Sequence, residues 1–213
     1  MTTSLIFDMD GTLFQTNKIL EPALEATFEK LRMKKLWHDK TPIDQYREIM
    51  GVPLPVVWET LCPQHTLEVH NNTNQWFLDE LIQQITKGNG ALYEGVEETL
   101  AQLSKTYPLY IASNGQIPYL QAIVEQFRLN RFIHGFYSID VIPSGNKSEL
   151  VHLVKSENGI AEGFVIGDRS SDIKAALDNN LTSIGVRFDF AQETELNKAN
   201  YVIDNFKEIL TIV

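Results

Sequence analysis

The apolar run Leu5-Ile6-Phe7 stops at Asp8-Met9-Asp10-Gly11-Thr12-Leu13. A short apolar strand closed by two carboxylates one residue apart is a costly arrangement. Like charges that close raise each other's pKa unless a cation or hydrogen-bond donors compensate. Strand alternation sends successive side chains to opposite faces, so the backbone must turn at Met9 or Asp10 for both acids to serve one site. Gly11 supplies the freedom for that turn, and Thr12 adds a hydroxyl beside it. A bare D-x-D after a strand is equally an acidic surface turn, and the rest of the chain has to separate the two readings.

From about Ala91 onward, short apolar runs alternate with longer helical periods. Residues 109–112, 136–139, 164–166, 182–186 and 201–203 read as strands. The stripes Val96/Leu100/Leu103, Ile117/Leu120/Val124/Phe127, Leu150/Val151/Val154 and Ile173/Ala176/Leu177 read as helix faces, the last ending at Asn179-Asn180. Strands separated by helices predict right-handed crossovers and an α/β fold with a mostly parallel sheet covered on both faces, to which residues 5–7 belong.

Between Gln15 and Gly90 the pattern is helical throughout. Leu20, Leu24, Phe28 and Leu31 share one helix face, with Pro22 in the first turn, and residues 43–50, 53–61 and 76–85 can each hold a helix. Gly88-Asn89-Gly90 reads as a hinge back to the sheet. The expected organisation is a core made of residues 1–14 and 91–213, with residues 15–90 inserted after the first strand as a small all-helical cap. The alternative is that these helices pack on the sheet as extra core. Trp37, Trp58 and Trp76 read as anchors of the insertion, and the five histidines, which lack ligand spacing, as ordinary side chains.

A net charge of −10 argues against a nucleic-acid partner, which would need clustered Lys and Arg, but leaves room for a phosphorylated substrate if a cation and a few local basic groups are present. Cys62 stands alone, so neither an intrachain disulfide nor a cysteine-based metal site is expected. No apolar run of transmembrane length and no signal-peptide pattern is present, so the expectation is a cytoplasmic chain with no membrane partner.

In open parallel sheets, sites form at the carboxyl ends of the strands. Asp8 and Asp10 follow the first strand, Ser113-Asn114-Gly115 the second, Ser144-Gly145-Asn146-Lys147 the third, and Gly167-Asp168-Arg169-Ser170-Ser171-Asp172 the fourth. Each piece alone has a structural explanation: a helix cap at Ser113-Asn114, a solvated lysine at 147, a helix-dipole acid at Asp172. Four polar clusters at four strand ends of one chain favour a site.

That order of clusters resembles the four successive motifs of the haloacid dehalogenase-like hydrolases, most of which are magnesium-dependent phosphatases. The match runs over the whole chain, because Leu92-Tyr93-Glu94-Gly95-Val96 is similar to the family's re-entry from cap to core. The helical insertion resembles the subgroup that includes phosphoglycolate phosphatases, pyrophosphatase-like enzymes and β-phosphoglucomutases. The resemblance implies a Rossmann-like core and hydrolysis of a small-molecule phosphate monoester through an aspartyl-phosphate. It implies Asp8 as nucleophile and Asp10 as general acid and base. Mg²⁺ would be held by Asp8, the backbone carbonyl of Asp10 and Asp168, with Asp172 direct or one shell out. Ser113, Asn114 and Thr12 would contact the phosphoryl oxygens, and Lys147 would balance their charge. The implied assembly is a monomer or weak homodimer.

Asp10 argues against the dehalogenase branch, whose leaving halide needs no proton. Two other readings stand beside the phosphatase: a phosphosugar mutase, which would yield an isomer instead of inorganic phosphate, and a non-catalytic binding protein on the same fold. Several positions depart from the family pattern: Ser148 follows Lys147 where proline is common, Arg169 replaces a small residue, Asn179-Asn180 replaces Ala-Gly, and Arg187-Phe188 replaces an aromatic-Gly turn. Arg47, Lys18 and the stretch Met50-Gly51-Val52-Pro53-Leu54 are the cap candidates to face a leaving group.

Overall fold

In the computed structural model, which describes residues 3–49, 52, 54–189 and 191–213, all the expected strands form. They are β1 (Ser4–Phe7), β2 (Leu109–Ser113), β3 (Gly135–Ser138), β4 (Gly163–Gly167), β5 (Thr182–Val186) and β6 (Tyr201–Ile203). The sheet order is β3-β2-β1-β4-β5-β6 and every neighbouring pair is parallel. The chain builds outward from β1 to one edge and then to the other, which makes the ends of β1 and its neighbours the topological switch point where a doubly wound fold places its ligand.

Before β2 come α1 (Asn17–Met33), α2 (Ile43–Glu48), α3 (Leu54–Leu61), α4 (Leu67–Thr86) and α5 (Val96–Leu103). The later crossovers are α6 (Ile117–Gln126), α7 (Lys147–Glu157), α8 (Ser170–Asp178) and the short α9 (Glu193–Leu196). Strand alternation divides the core between the two faces of the sheet. Leu5, Phe7, Ile111 and Ile166 join one cluster, while Ile6, Tyr110, Ala112 and Val165 pack with Leu150, Val151, Val154, Ala175 and Ala176 in the other.

The helical insertion after β1 is α1 to α4, with α1 packed along α4. The indole of Trp58 is fully buried, lies edge-on to Phe77 and donates through Nε1 to Asn74 Oδ1 at 3.1 Å. The two chain passages that join the insertion to the sheet run side by side. Gln15 N–H donates to Ala91 O at 2.9 Å and Tyr93 N–H to Leu13 O at 3.0 Å.

Two helix faces differ from the sequence expectation. Ile117 and Leu177 are exposed, and on α6 the buried stripe is Tyr119, Leu120, Ile123 and Val124. α4 begins well before Trp76, at Leu67, where Thr66 caps it by accepting from Val69 N–H.

Candidate active site

The register fixes which side chains meet. Phe7 pairs with Ile111 on one side and with Ile166 on the other, so Asp8 emerges level with the ends of β2 and β4. Met9 O then accepts from both Leu13 N–H and Phe14 N–H at 2.9 Å, and this closes the turn that the two acids demand. Gly11 sits at φ +74°, and a Cβ there would lie 2.4 Å from Asp168 Oδ2. Only glycine satisfies both constraints. Gly167 is equally constrained, because a Cβ on it would lie 2.2 Å from Asp172 Cγ.

Asp8, Asp168 and Asp172 are buried together and can each bring a carboxylate oxygen within 4.8 Å of the others. Lys147, buried at the start of α7, reaches Asp8 Oδ1 at 2.5 Å and Asp172 Oδ1 at 3.1 Å. Asn146 caps that helix through Ser148 N–H at 2.9 Å and holds the lysine's backbone in place. Asp172 also accepts from Arg169 N–H at 3.2 Å at the start of α8, so the helix-cap reading and the site reading are both true of it. Burial pushes the Asp8 carboxyl up to about 7, with Lys147 pulling the other way and Asp172 and Asp10 adding to the rise. Burial raises Asp168 well above the usual carboxylate range, helped by the charges of Asp8 and Asp172. For Lys147, burial favours the neutral amine, but Asp172 and Asp8 outweigh it and the net direction is up.

Asp10 is built differently. Its Oδ1 accepts from Thr16 Oγ1 at 2.5 Å and from the Tyr119 hydroxyl, and its carboxylate stays outside the group formed by Asp8, Asp168 and Asp172. Burial raises its pKa, while the Thr16 and Tyr119 hydrogen bonds oppose the rise. The side chain of Asp10 is thus engaged by hydroxyls, apart from that carboxylate group, as expected of an acid whose metal contact would be made by its backbone carbonyl.

The expected phosphate contacts divide in the same way. Asn114 lines the cavity above Asp8, together with Asp10, Lys147 and Asp168. Thr12 does not line it: the residue is fully buried and its hydroxyl donates to Asp168 Oδ1 at 3.4 Å. Ser113 is also buried behind the wall, with Oγ accepting from Gly115 N–H at 3.0 Å. Both hydroxyls hold the loops that carry the site. The cavity measures about 80 Å³, and the helical insertion closes it with Leu20, Tyr46, Leu78 and Leu81.

Arg47 does not face the cavity, because it is half-exposed in ion pairs with Glu21 and Asp44. Lys18 is exposed. Of the stretch 50–54, Met50, Gly51 and Pro53 lie outside the described residues, and Val52 reaches the cavity.

The family model for haloacid dehalogenase-like hydrolases matches residues 5–186. The chain belongs to this family. This haloacid dehalogenase-like hydrolase is 24% identical over 197 residues to a 5'-nucleotidase of Pseudomonas aeruginosa, covering 91% of the chain and 86% of the relative. It is 23% identical over 225 residues to the pyrophosphatase PpaX of Listeria monocytogenes, covering 99% of the chain and 96% of the relative. Its fold matches that of CbbY from Rhodobacter sphaeroides, solved in complex with phosphate, with a TM-score of 0.82 at 18% identity over 98% of this chain and 96% of the other.

Three residues that hold side chains of the hydrolase's site were not read from the sequence: Thr16 and Tyr119, which donate to Asp10, and Glu195, which pairs with Arg169. Tyr119 carried a signal, since it stands four residues before Ile123 on the buried stripe of α6. Glu195 explains Arg169, whose Nε and Nη2 each lie 3.0 Å from one of its carboxylate oxygens. Asn180 takes φ +54°, a conformation asparagine tolerates, so it can stand where a glycine is common.

The donor set fits a divalent cation. Three buried carboxylates face one ammonium, and all the converging ligand atoms are hard oxygens.

Proposed function

We propose that this hydrolase is a Mg²⁺-dependent phosphatase that releases inorganic phosphate from small-molecule phosphate monoesters through an aspartyl-phosphate on Asp8. The observation that carries the reading is the unequal treatment of the two neighbouring acids. Asp8 is gathered with Lys147, Asp168 and Asp172, whereas Asp10 is turned aside and held by Thr16 and Tyr119. Relatives named as a nucleotidase and a pyrophosphatase support phosphoryl chemistry, and the order of strand-end clusters in this chain suits it.

Lys147 occupies Asp8 Oδ1, which leaves Oδ2 to attack phosphorus. A bond forms between that oxygen and phosphorus as the ester P–O bond breaks, and Asp10 gives its proton to the departing oxygen. Water then attacks the phosphorus of the aspartyl-phosphate. The Asp8–phosphorus bond breaks, and Asp10 takes the water's proton. A carboxyl whose pKa is raised by burial is suited to the first of these duties, and its two hydroxyl donors, both on Oδ1, fix the direction in which Oδ2 presents the proton. Lys147 and Asn114 offset charge on the phosphoryl oxygens. Asp8, Asp168 and Asp172 would hold Mg²⁺, which when bound offsets the repulsion between nucleophile and phosphate.

The helices α1 to α4 act as a lid that swings on the paired passages at Gln15/Ala91 and Leu13/Tyr93. Among the described residues no helix is long and apolar enough to cross a membrane, and the reading is of a cytoplasmic monomer or weak homodimer. A panel of phosphate monoesters assayed for inorganic phosphate with Mg²⁺ and with chelator tests the proposal. Metal-dependent release is expected, and the absence of release from every ester, or accumulation of an isomer without phosphate, overturns it.

A further inference from the structure

Among the described residues, the cavity has no uncommitted cationic side chain for a second anion. Among the described residues that line it, the cationic side chains are Lys147 and Arg169. Lys147 is held by Asp8 and Asp172, and Arg169 by both oxygens of Glu195. Arg47 is paired with Glu21 outside the cavity, and Lys18 is exposed and absent from its walls. The sequence Met50-Gly51-Val52-Pro53-Leu54 contributes no ionisable side chain.

The insertion's contribution to the cavity wall is apolar: Leu20, Val52, Leu78 and Leu81 line it together with the rings of Tyr46 and, from α6, Tyr119, whose hydroxyl donates to Asp10. Burial pushes both tyrosine hydroxyls up, and the nearby Asp10 adds to the rise, so they stay protonated donors. The amide of Gln116 is neutral and accepts from Asn74 Nδ2 at 3.2 Å. A leaving group that departs toward this wall therefore meets hydrocarbon and neutral dipoles. An apolar group displaces water from the leucines there, which favours binding. A carboxylate or second phosphate on that side would be stripped of water with no uncommitted side-chain cation among the described residues to meet it.

We infer that this site takes phosphate monoesters whose leaving group is uncharged and largely apolar, and rejects substrates that carry a second anionic group. The inference rests on the phosphatase reading and sharpens it to a substrate class. Two pairs of probes test it with the full chain and Mg²⁺. The first compares phosphoglycolate with its neutral amide, which differ at one end only. The second compares benzyl phosphate with pyrophosphate. The expected kcat/KM for the uncharged member of each pair is higher by about 100-fold, the low end of what an uncompensated buried charge costs. Equal rates, or faster turnover of phosphoglycolate or pyrophosphate, overturn the inference and leave the phosphatase reading standing. No phosphate release from any probe overturns that reading itself.

A second arm introduces the missing charge. Val52 is partly exposed at the cavity rim, so Val52→Arg is compatible with folding. It is expected to narrow the amide-to-phosphoglycolate ratio by about 3–5-fold, the scale of one charge contact in a partly wet site. A ratio that does not move shows that the lack of a cation is not what sets the preference, and the inference falls.

Discussion

Replacing Lys147 with Met removes the one ammonium that sits among Asp8, Asp168 and Asp172, while keeping most of the side chain's volume. The lysine lies 2.5 Å from Asp8 Oδ1 and 3.1 Å from Asp172 Oδ1, and all three side chains are buried. At an effective dielectric of about 20, each contact is worth roughly 5–7 kcal/mol before desolvation, which cancels most of it. Breaking a buried pair from one side costs about 3–5 kcal/mol.

The cost should depend on pH in a direction the site dictates. With Lys147 present, burial raises the Asp8 carboxyl from 3.8 to about 7, so the folded chain holds a proton that the unfolded chain has released. Metal-free stability therefore falls as pH rises from about 4 to about 7, and Asp8 adds no further slope above that. Lys147 is the charge that lowers Asp8, so its loss moves the Asp8 carboxyl higher still. The variant then keeps losing about 1.4 kcal/mol per pH unit where the wild type has levelled off. The expected difference is about 1–2 kcal/mol near pH 6 and about 3–4 kcal/mol near pH 8.5. Urea unfolding in chelator at fixed ionic strength measures it, and millimolar MgCl₂ should recover part of the loss at the higher pH. A difference that is the same at both pH values, or below about 1 kcal/mol near pH 8.5, refutes this electrostatic picture.

Tyr119→Phe removes a hydrogen bond that lowers the Asp10 pKa, so the alkaline limb of the kcat profile should move to higher pH, with kcat down by about 3–10-fold. A limb that moves to lower pH contradicts the role given to Asp10. Gly11→Ala places a methyl group 2.4 Å from Asp168 Oδ2 on a backbone at φ +74°, and should cost about 2 kcal/mol in thermal unfolding. It should also weaken the stabilisation by MgCl₂, and an unchanged metal response would show that Asp168 has room to move. Trp58→Ala empties a fully buried indole site between Phe28 and Phe77, at a cost of about 3–5 kcal/mol, or roughly 6–20 °C in Tm for a chain of this size. A shift under about 3 °C would mean that the insertion does not unfold with the rest of the chain.

The sheet was legible because β1, β2, β4 and β5 are short apolar runs with buried neighbours on both faces, a pattern that propensity and burial support together. The clusters after β1, β2, β4 and before α7 were legible only in combination: each alone reads as a cap, a turn or a solvated side chain, but the carboxyl ends of neighbouring parallel strands bring all four to one place. The sheet order was not legible, since the crossover pattern fixes handedness but not which edge each strand joins. The first half of α4 was obscured by polar residues. Within it, His70 and Thr73 are buried, their needs met by Cys62 O and Val69 O at 2.8 Å each. Only the Thr66 cap marks that helix start in the sequence. At the site, the Thr12 hydroxyl donates to Asp168 and Ser113 Oγ accepts from Gly115 N–H, and sequence carries no record of which way a hydroxyl points. Tyr119 is the opposite case: it reads as one more core aromatic until α6 brings it against Asp10.

The assignment of Asp8 as nucleophile is tested most directly by acid-quenching the Mg²⁺-loaded enzyme during turnover of a ³²P-labelled monoester and following the label on the protein. The expected result is a phosphoprotein cleaved by hydroxylamine, as an acyl phosphate is, with the label on the peptide that carries Asp8 and absent from Asp8→Asn. Steady turnover in Asp8→Asn, or a label found on any other residue, would contradict it.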